Sequence, residues 1–176
     1  MALTTGTTAS RTIERTTLLD APVDRVWEAM LRPSTFLHVA RGLLGVPALE
    51  GRIDPFVAGE AGTAWLLLFH LVPFSRHTIE VVDVDHERHV VRTHEHGGLL
   101  RRWDHTLAAE AEGPDRTRYT DTIVVEAGPL TPVAARVGNL IFRYRQRRWR
   151  ALARRHLGPT WSVRDEKLAE IAQEGT

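Results

Sequence analysis

The sequence predicts an α+β domain: a curved antiparallel sheet of about seven strands wrapped on one long C-terminal helix, with two short helices after the first strand. Three observations predict it. A β-branched run ending in Leu18-Leu19 leads directly into an amphipathic stretch from Val23 to Leu31. The long stretch from residue 48 to residue 126 reads as strands separated by short turn signals. Thr131-Pro132 then opens a helical stretch reaching about His156. A curved sheet closed by one helix cannot pack as a solid sandwich, and the space left between them is a place for a small molecule.

Each element has its own signal. Thr12 to Leu19 reads as a first strand from its β-branched residues. Pro22 suits a first helical turn, where its missing N–H costs nothing. Val23, Val26, Trp27, Met30 and Leu31 then follow i, i+3, i+4, i+7, i+8 along one apolar face, which makes Trp27 a core residue. Pro33 stops that helix and Ser34 is placed to cap a second through about Ala40. The strands are expected at Ala48–Ile53, Gly62–Val72, Arg76–Asp85, His89–His96, Leu100–Ala111 and Thr117–Glu126. Their hairpin punctuation is Gly59-Glu-Ala-Gly62, Pro73-Phe-Ser75, Asp85-His-Glu87, Gly97-Gly98 and Gly113-Pro-Asp115. Thr131 is placed as an N-cap, with Pro132 at the first helical position. Gly158-Pro159 ends the last helix, and Ser162-Val-Arg-Asp165 reads as a capping box for a short tail helix. The expected organisation is a disordered leader over residues 1–11, one domain over 12–157, and a tail over 158–176.

The composition narrows the chemistry. A chain of 176 residues can bury a sizeable core. The net charge of +1 gives no global reason to expect nucleic acid as a partner. With no cysteine, thiolate metal sites, disulfides and cysteine nucleophiles are excluded. The N-terminal residues carry no basic region followed by an apolar one, and the apolar run Ala64–Phe69 is too short for a bilayer. A cytoplasmic protein with no membrane insertion is expected, without cofactor or metal. Nucleophile elbows, phosphate loops and dinucleotide fingerprints are absent.

The order strand, helix pair, strands, long helix resembles the START-like, or SRPBCC, helix-grip superfamily, and within it the polyketide cyclase/dehydrase-like branch. The residues that carry the resemblance are Asp20-Ala-Pro-Val-Asp-Arg-Val-Trp27, Tyr119-Thr-Asp-Thr-Ile123 and Arg143-Tyr-Arg-Gln-Arg-Arg-Trp149. The likeness covers about residues 12–157. It implies a hydrophobic cavity between sheet and last helix. It implies no single chemistry, because the superfamily holds binding proteins, transfer proteins and enzymes, and no catalytic set carries over.

Helical phase at a hundred degrees per residue places Val133, Val137, Leu140, Ile141, Tyr144, Ala151 and Leu152 on one arc, expected to face the cavity. Arg148 falls inside that arc. Either its stem snorkels to the rim, or it points inward and pairs with Asp121 or an acidic ligand group. Arg136, Arg143, Arg147, Arg150 and Arg154 form a neighbouring stripe, read as a solvated face or as a surface for a partner protein. Strand alternation joins Tyr119, Asp121, Ile123 and Val125 on one face, and Trp103, His105, Leu107 and Ala109 on another. His105 beside Asp121 suits a general base, with Tyr119 polarising a carbonyl; the same pair also suits a purely structural hydrogen bond. Trp65, Leu67, Phe69 and Leu107 are the expected apolar lining. Seven of the nine histidines lie between His70 and His105. Among them, His94 and His96 share one strand face at a spacing compatible with a metal, with His105 or His77 as a third ligand, but their place beside Gly97-Gly98 argues for a solvated strand end. The expected function is binding of a small hydrophobic or aromatic molecule, as carrier or binding protein. The alternative is a polyketide cyclase or dehydratase using polar cavity residues.

Overall fold

The computed structural model describes residues 10–158. In chain order the elements are β1 (Arg11–Leu19), α1 (Val23–Met30), α2 (Pro33–Ala40), β2 (Leu44–Gly45), β3 (Ala61–Leu68), β4 (Val72–Asp85), β5 (Val90–Gly97), β6 (Leu100–Ala111), β7 (Thr117–Glu126) and α3 (Thr131–Leu152). The seven strands form one antiparallel sheet in the order β1-β7-β6-β5-β4-β3-β2. The sheet curls, and α3 lies on its concave side with α1 and α2. This is the helix-grip fold that the sequence predicts. Of the leader expected over residues 1–11, residues 1–9 lie outside the described residues and Arg11 already belongs to β1; the Ser162 capping box lies outside as well.

Helix α1 buries the face its periodicity marks: Val26, Trp27, Ala29 and Met30. Trp27 is core, and its Nε1–H donates to His86 Nδ1 at 3.3 Å. Strand β7 alternates with Thr117, Tyr119, Asp121, Ile123 and Val125 buried. Ser34 does not cap α2. Nor is Thr131 the N-cap of α3, which is Leu130; Thr131 Oγ1 instead accepts from Ala127 N and donates to Gly128 O, bracing the turn that enters the helix. A π-helical turn, Ala153–Leu157, ends the helical run.

Two regions depart from the expected pattern. The strand expected at Ala48–Ile53 does not form: the two-residue β2 precedes it, and the 3₁₀ turn Pro47–Leu49 follows β2, Pro47 having no N–H for a ladder. The turn expected at Pro73-Phe-Ser75 falls at residues 69–71, and Pro73 pairs within β4. Phe69 and His70 both adopt positive φ there (53° and 61°), a conformation that their side chains do not advertise. Two outside contacts hold them: Phe69 N donates to Leu43 O, and His70 Nε2 accepts from Gly42 N.

The largest correction concerns the face of α3. Val133, Val137 and Leu140 are exposed, at 60%, 50% and 61%. The buried residues are Thr131, Gly138, Phe142, Arg145, Gln146 and Trp149. Gly138 explains the rotation. A Cβ at this position would come within 2.8 Å of Trp103 Cη2 and 3.0 Å of Ile13 Cδ1, so any other residue would make these side chains or the helix shift, and glycine lets the helix settle this close to β1 and β6. Phe142 packs below it with Ile13, Ile123 and Val125.

Candidate ligand cavity

Past Phe142 the helix and sheet separate, and a cavity of about 220 Å³ lies between them. That is many times the ~10–15 Å³ that one water needs. Its walls are apolar side chains from every layer: Met30 of α1, Val39 of α2, Leu66 of β3, Ile79 and Val81 of β4, Val91 of β5, Leu107 of β6 and Trp149 of α3. Exposed Ala48, Gly62 and Thr63 mark the mouth, beside the Arg52–Glu60 ion pair. Burial of His77, His105 and Arg145 marks the opposite, inner end.

That inner end is polar, and it is built by cross-strand register. Leu107 pairs with Asp121 and His105 with Ile123, so His105 and Asp121 are diagonal neighbours on one face. His105 Nε2 lies 2.9 Å from Asp121 Oδ1, which also accepts from Tyr119 Oη at 2.9 Å. Gln146 Nε2 donates to Asp121 Oδ2 at 3.1 Å and to Arg15 O at 2.7 Å, tying α3 to β7 and β1. Burial by itself raises the Asp121 carboxyl, but the His105 bond and charge, the Arg145 charge and the Tyr119 bond hold it below its ordinary value. An ionised carboxylate only accepts, so Nε2 of His105 carries the hydrogen. In the neutral ring the basic lone pair is then on Nδ1. Tyr119 is pushed well above its ordinary value by burial and by the Asp121 charge, which keeps it a phenol.

A second histidine–carboxylate pair stands beside it. His77 Nε2 is 3.1 Å from Glu95 Oε2, and Thr93 Oγ1 donates to Glu95 Oε1 at 2.7 Å. Burial raises the Glu95 carboxyl, yet the His77 bond, the His105 charge and the Thr93 bond bring it below its ordinary value. His77 Nδ1 is buried with no partner. Above these groups sits Arg145, 8% exposed, its guanidinium 5.4 Å from the Phe36 ring centre and 4.9 Å from that of Phe142.

Of the residues proposed from sequence, the structure brings His105 onto the cavity, with Leu107 beside it. Asp121 and Tyr119 stand behind His105 and do not line the cavity, so Tyr119 is not placed to polarise a carbonyl. Trp65, Leu67 and Phe69 do not line it either. Strand β3 presents the opposite alternation, Gly62, Ala64 and Leu66, and Trp65 and Phe69 are exposed. Trp103 stacks on Phe142 at 6.0 Å and does not line the cavity. Val137 belongs to the outer face and Ile141 is half-buried beside it. Tyr144 and Arg148 clasp α2: Tyr144 Oη donates to Arg41 O at 2.8 Å and Arg148 Nε to His38 O at 2.8 Å. Arg148 therefore makes no pair with Asp121. The residues that sequence reasoning missed are Arg145, Trp149 and Glu95. The signal was present in Phe142 and Trp149, two bulky aromatics seven residues apart, which give the true phase of α3.

His94 and His96 point away from the cavity. His94 Nδ1 bonds Asp104, and the two rings are 6.1 Å apart. Among the described residues no three histidine or acidic side chains converge to hold a metal ion. No helix among them is long and apolar enough to cross a membrane.

A family model described as "Domain of unknown function (DUF8410)" matches residues 17–155. The chain belongs to this family. No curated protein matches it. Among solved structures the DUF8410 domain is similar to a START superfamily protein from Mycobacterium smegmatis, with TM-score 0.63 at 12% identity over 81% of this chain and 97% of that one. It is also similar to truncated norcoclaurine synthase from Thalictrum flavum, with TM-score 0.62 at 15% identity over 84% and 96%. The Zhui aromatase/cyclase from Streptomyces sp. R1128 gives TM-score 0.60 at 20% identity over 88% and 100%. At these identities the likeness is one of fold, and the fold of DUF8410 is START-like.

Proposed function

We propose that this DUF8410 protein binds a small, largely apolar or aromatic molecule in the cavity between sheet and α3, as a carrier or binding protein. The observation that carries this is the cavity itself: a ligand-sized space walled by side chains from α1, α2, α3 and β3–β6. Burying apolar ligand surface there is favourable by about 25 cal/mol per Å². Norcoclaurine synthase, of the same fold, has been solved with dopamine and hydroxybenzaldehyde, which are small aromatic molecules. A cytoplasmic location is part of this proposal, on the expectation drawn above from the sequence.

One observation favours a second reading, a cyclase or dehydratase acting on a polyketide-like substrate. His105 lines the cavity, and Asp121 holds the side of its ring that carries Nε2. A ring oriented in this way is suited to remove a proton next to a substrate carbonyl through Nδ1.

Calorimetric titration with 2-naphthamide, a neutral aromatic probe, tests the binding reading. The wild-type chain is expected to bind it, and Val91→Phe, which fills the cavity from β5, is expected to abolish binding while leaving the fold intact. Binding that survives in Val91→Phe would place the ligand elsewhere and overturn the proposal.

A further inference from the structure

We propose that the physiological ligand of the cavity carries a carboxylate, and that this group pairs with Arg145. The inference rests on the binding reading above and deepens it by naming the ligand's chemical class. A guanidinium is charged at every physiological pH, and burying it is costly unless its in-plane donors find an acceptor. Among the described residues Arg145 takes part in no hydrogen bond and no ion pair, and its Nε is buried without a partner. The Phe36 and Phe142 rings lie within cation–π reach of it. Such contact supports a cation but leaves the N–H donors, which lie in the plane, unanswered.

The protein's own carboxylates near the cavity are committed elsewhere. Asp121 receives His105 and Tyr119 on one oxygen and Gln146 on the other. Glu95 receives His77 and Thr93. Glu60 is held by Arg52 at the mouth. A planar carboxylate on the ligand matches the guanidinium fork in two parallel hydrogen bonds. Its single charge also suits the site better than a phosphate, because Asp121 and Glu95 already supply negative charge at this end of the cavity. The apolar walls then receive the rest of the molecule, so the ligand class is an aromatic or aliphatic carboxylic acid.

The test compares 2-naphthoate with 2-naphthamide by calorimetry at pH 7, using the full chain. Both fill the same volume, and only the first carries the charge. The wild-type protein is expected to bind the acid roughly ten- to a hundredfold more tightly, the range of a charge-assisted hydrogen bond. Arg145→Met should erase that preference, so that acid and amide bind alike, while Arg145→Lys should keep part of it. Equal affinity for acid and amide in the wild type would overturn the inference and leave the binding reading intact, and this comparison needs no variant to fold. A preference that persists in folded Arg145→Met would overturn it as well. Binding of neither probe would overturn both.

Discussion

The two halves of the concave sheet meet α3 in opposite ways. Over β1, β7 and β6 the helix lies flush: Gly138 admits Trp103 and Ile13 to contact distance, and Phe142 fills the remaining space with Ile13, Ile123 and Val125. Over β3, β4 and β5 it stands off, and Leu66, Ile79, Val81 and Val91 look into open space. The polar groups at the boundary and on the cavity also differ. Asp121, at the boundary, has both oxygens satisfied from three elements. Arg145, His77 and Trp149, on the cavity, each keep a buried nitrogen without a partner, and so does Arg15 of β1, away from it. The difference teaches that a saturated buried polar group marks structure, whereas an unsaturated one beside a void marks where a ligand's polar atom belongs.

The largest expected effect lies on the saturated side. Asp121→Ala strands the His105, Tyr119 and Gln146 donors and should cost about 3–5 kcal/mol in urea unfolding. The pH dependence carries the same signature. Asp121 and Glu95 are both depressed in the folded state, so their contribution is fully present above the ordinary unfolded carboxylate range, near pH 4. It is lost as pH falls through the depressed folded values. Wild-type stability should therefore drop on acidification below about pH 4, and Asp121→Asn should flatten that drop. An acid profile identical in both proteins would show that Asp121 is not ionised in the fold.

A middle effect is expected at the flush contact. Gly138→Leu must push α3 away from Trp103 and Ile13, and overpacking of this kind costs about 1–3 kcal/mol. Affinity for 2-naphthamide should change as well, since the same helix roofs the cavity. Unchanged stability would mean that the helix does not depend on close approach at Gly138.

The smallest effect sharpens the boundary. Arg148 reaches the α2 carbonyl of His38 and shares no partner with Asp121. Arg148→Met should cost under about 1 kcal/mol, and its combination with Asp121→Asn should be additive within about 0.3–0.5 kcal/mol. A larger coupling energy would restore the Arg148–Asp121 pair that helical phase alone suggested.

Much of the fold was legible because its signals are local. Strand β7 shows its period of two in Thr117, Tyr119, Asp121, Ile123 and Val125, and α1 shows its period of 3.6 in Val26, Trp27 and Met30. The site was less legible. Val133, Val137 and Leu140 form a genuine apolar stripe on α3, and hydrophobicity alone turns that stripe inward. The residues that actually face in include Arg145 and Gln146, which look like surface residues until their partners are known. On β3 the run from Ala64 to Phe69 is apolar at every position, so alternation could not tell Leu66 from Trp65 and Leu67.

By itself the sequence determined the order of the elements, the antiparallel meander, the core face of α1 and the inward faces of β6 and β7 that carry His105 and Asp121. These depend on spacings of two to four residues, which the chain displays directly. Only the tertiary structure decided which side of α3 and of β3 looks inward. That choice rests on contacts between distant parts of the chain: Gln146 on the carbonyl of Arg15, 131 positions away, and Gly138 against Trp103 and Ile13. A buried polar residue is stable only where such partners saturate it, and nothing in the local pattern records that those partners will be there.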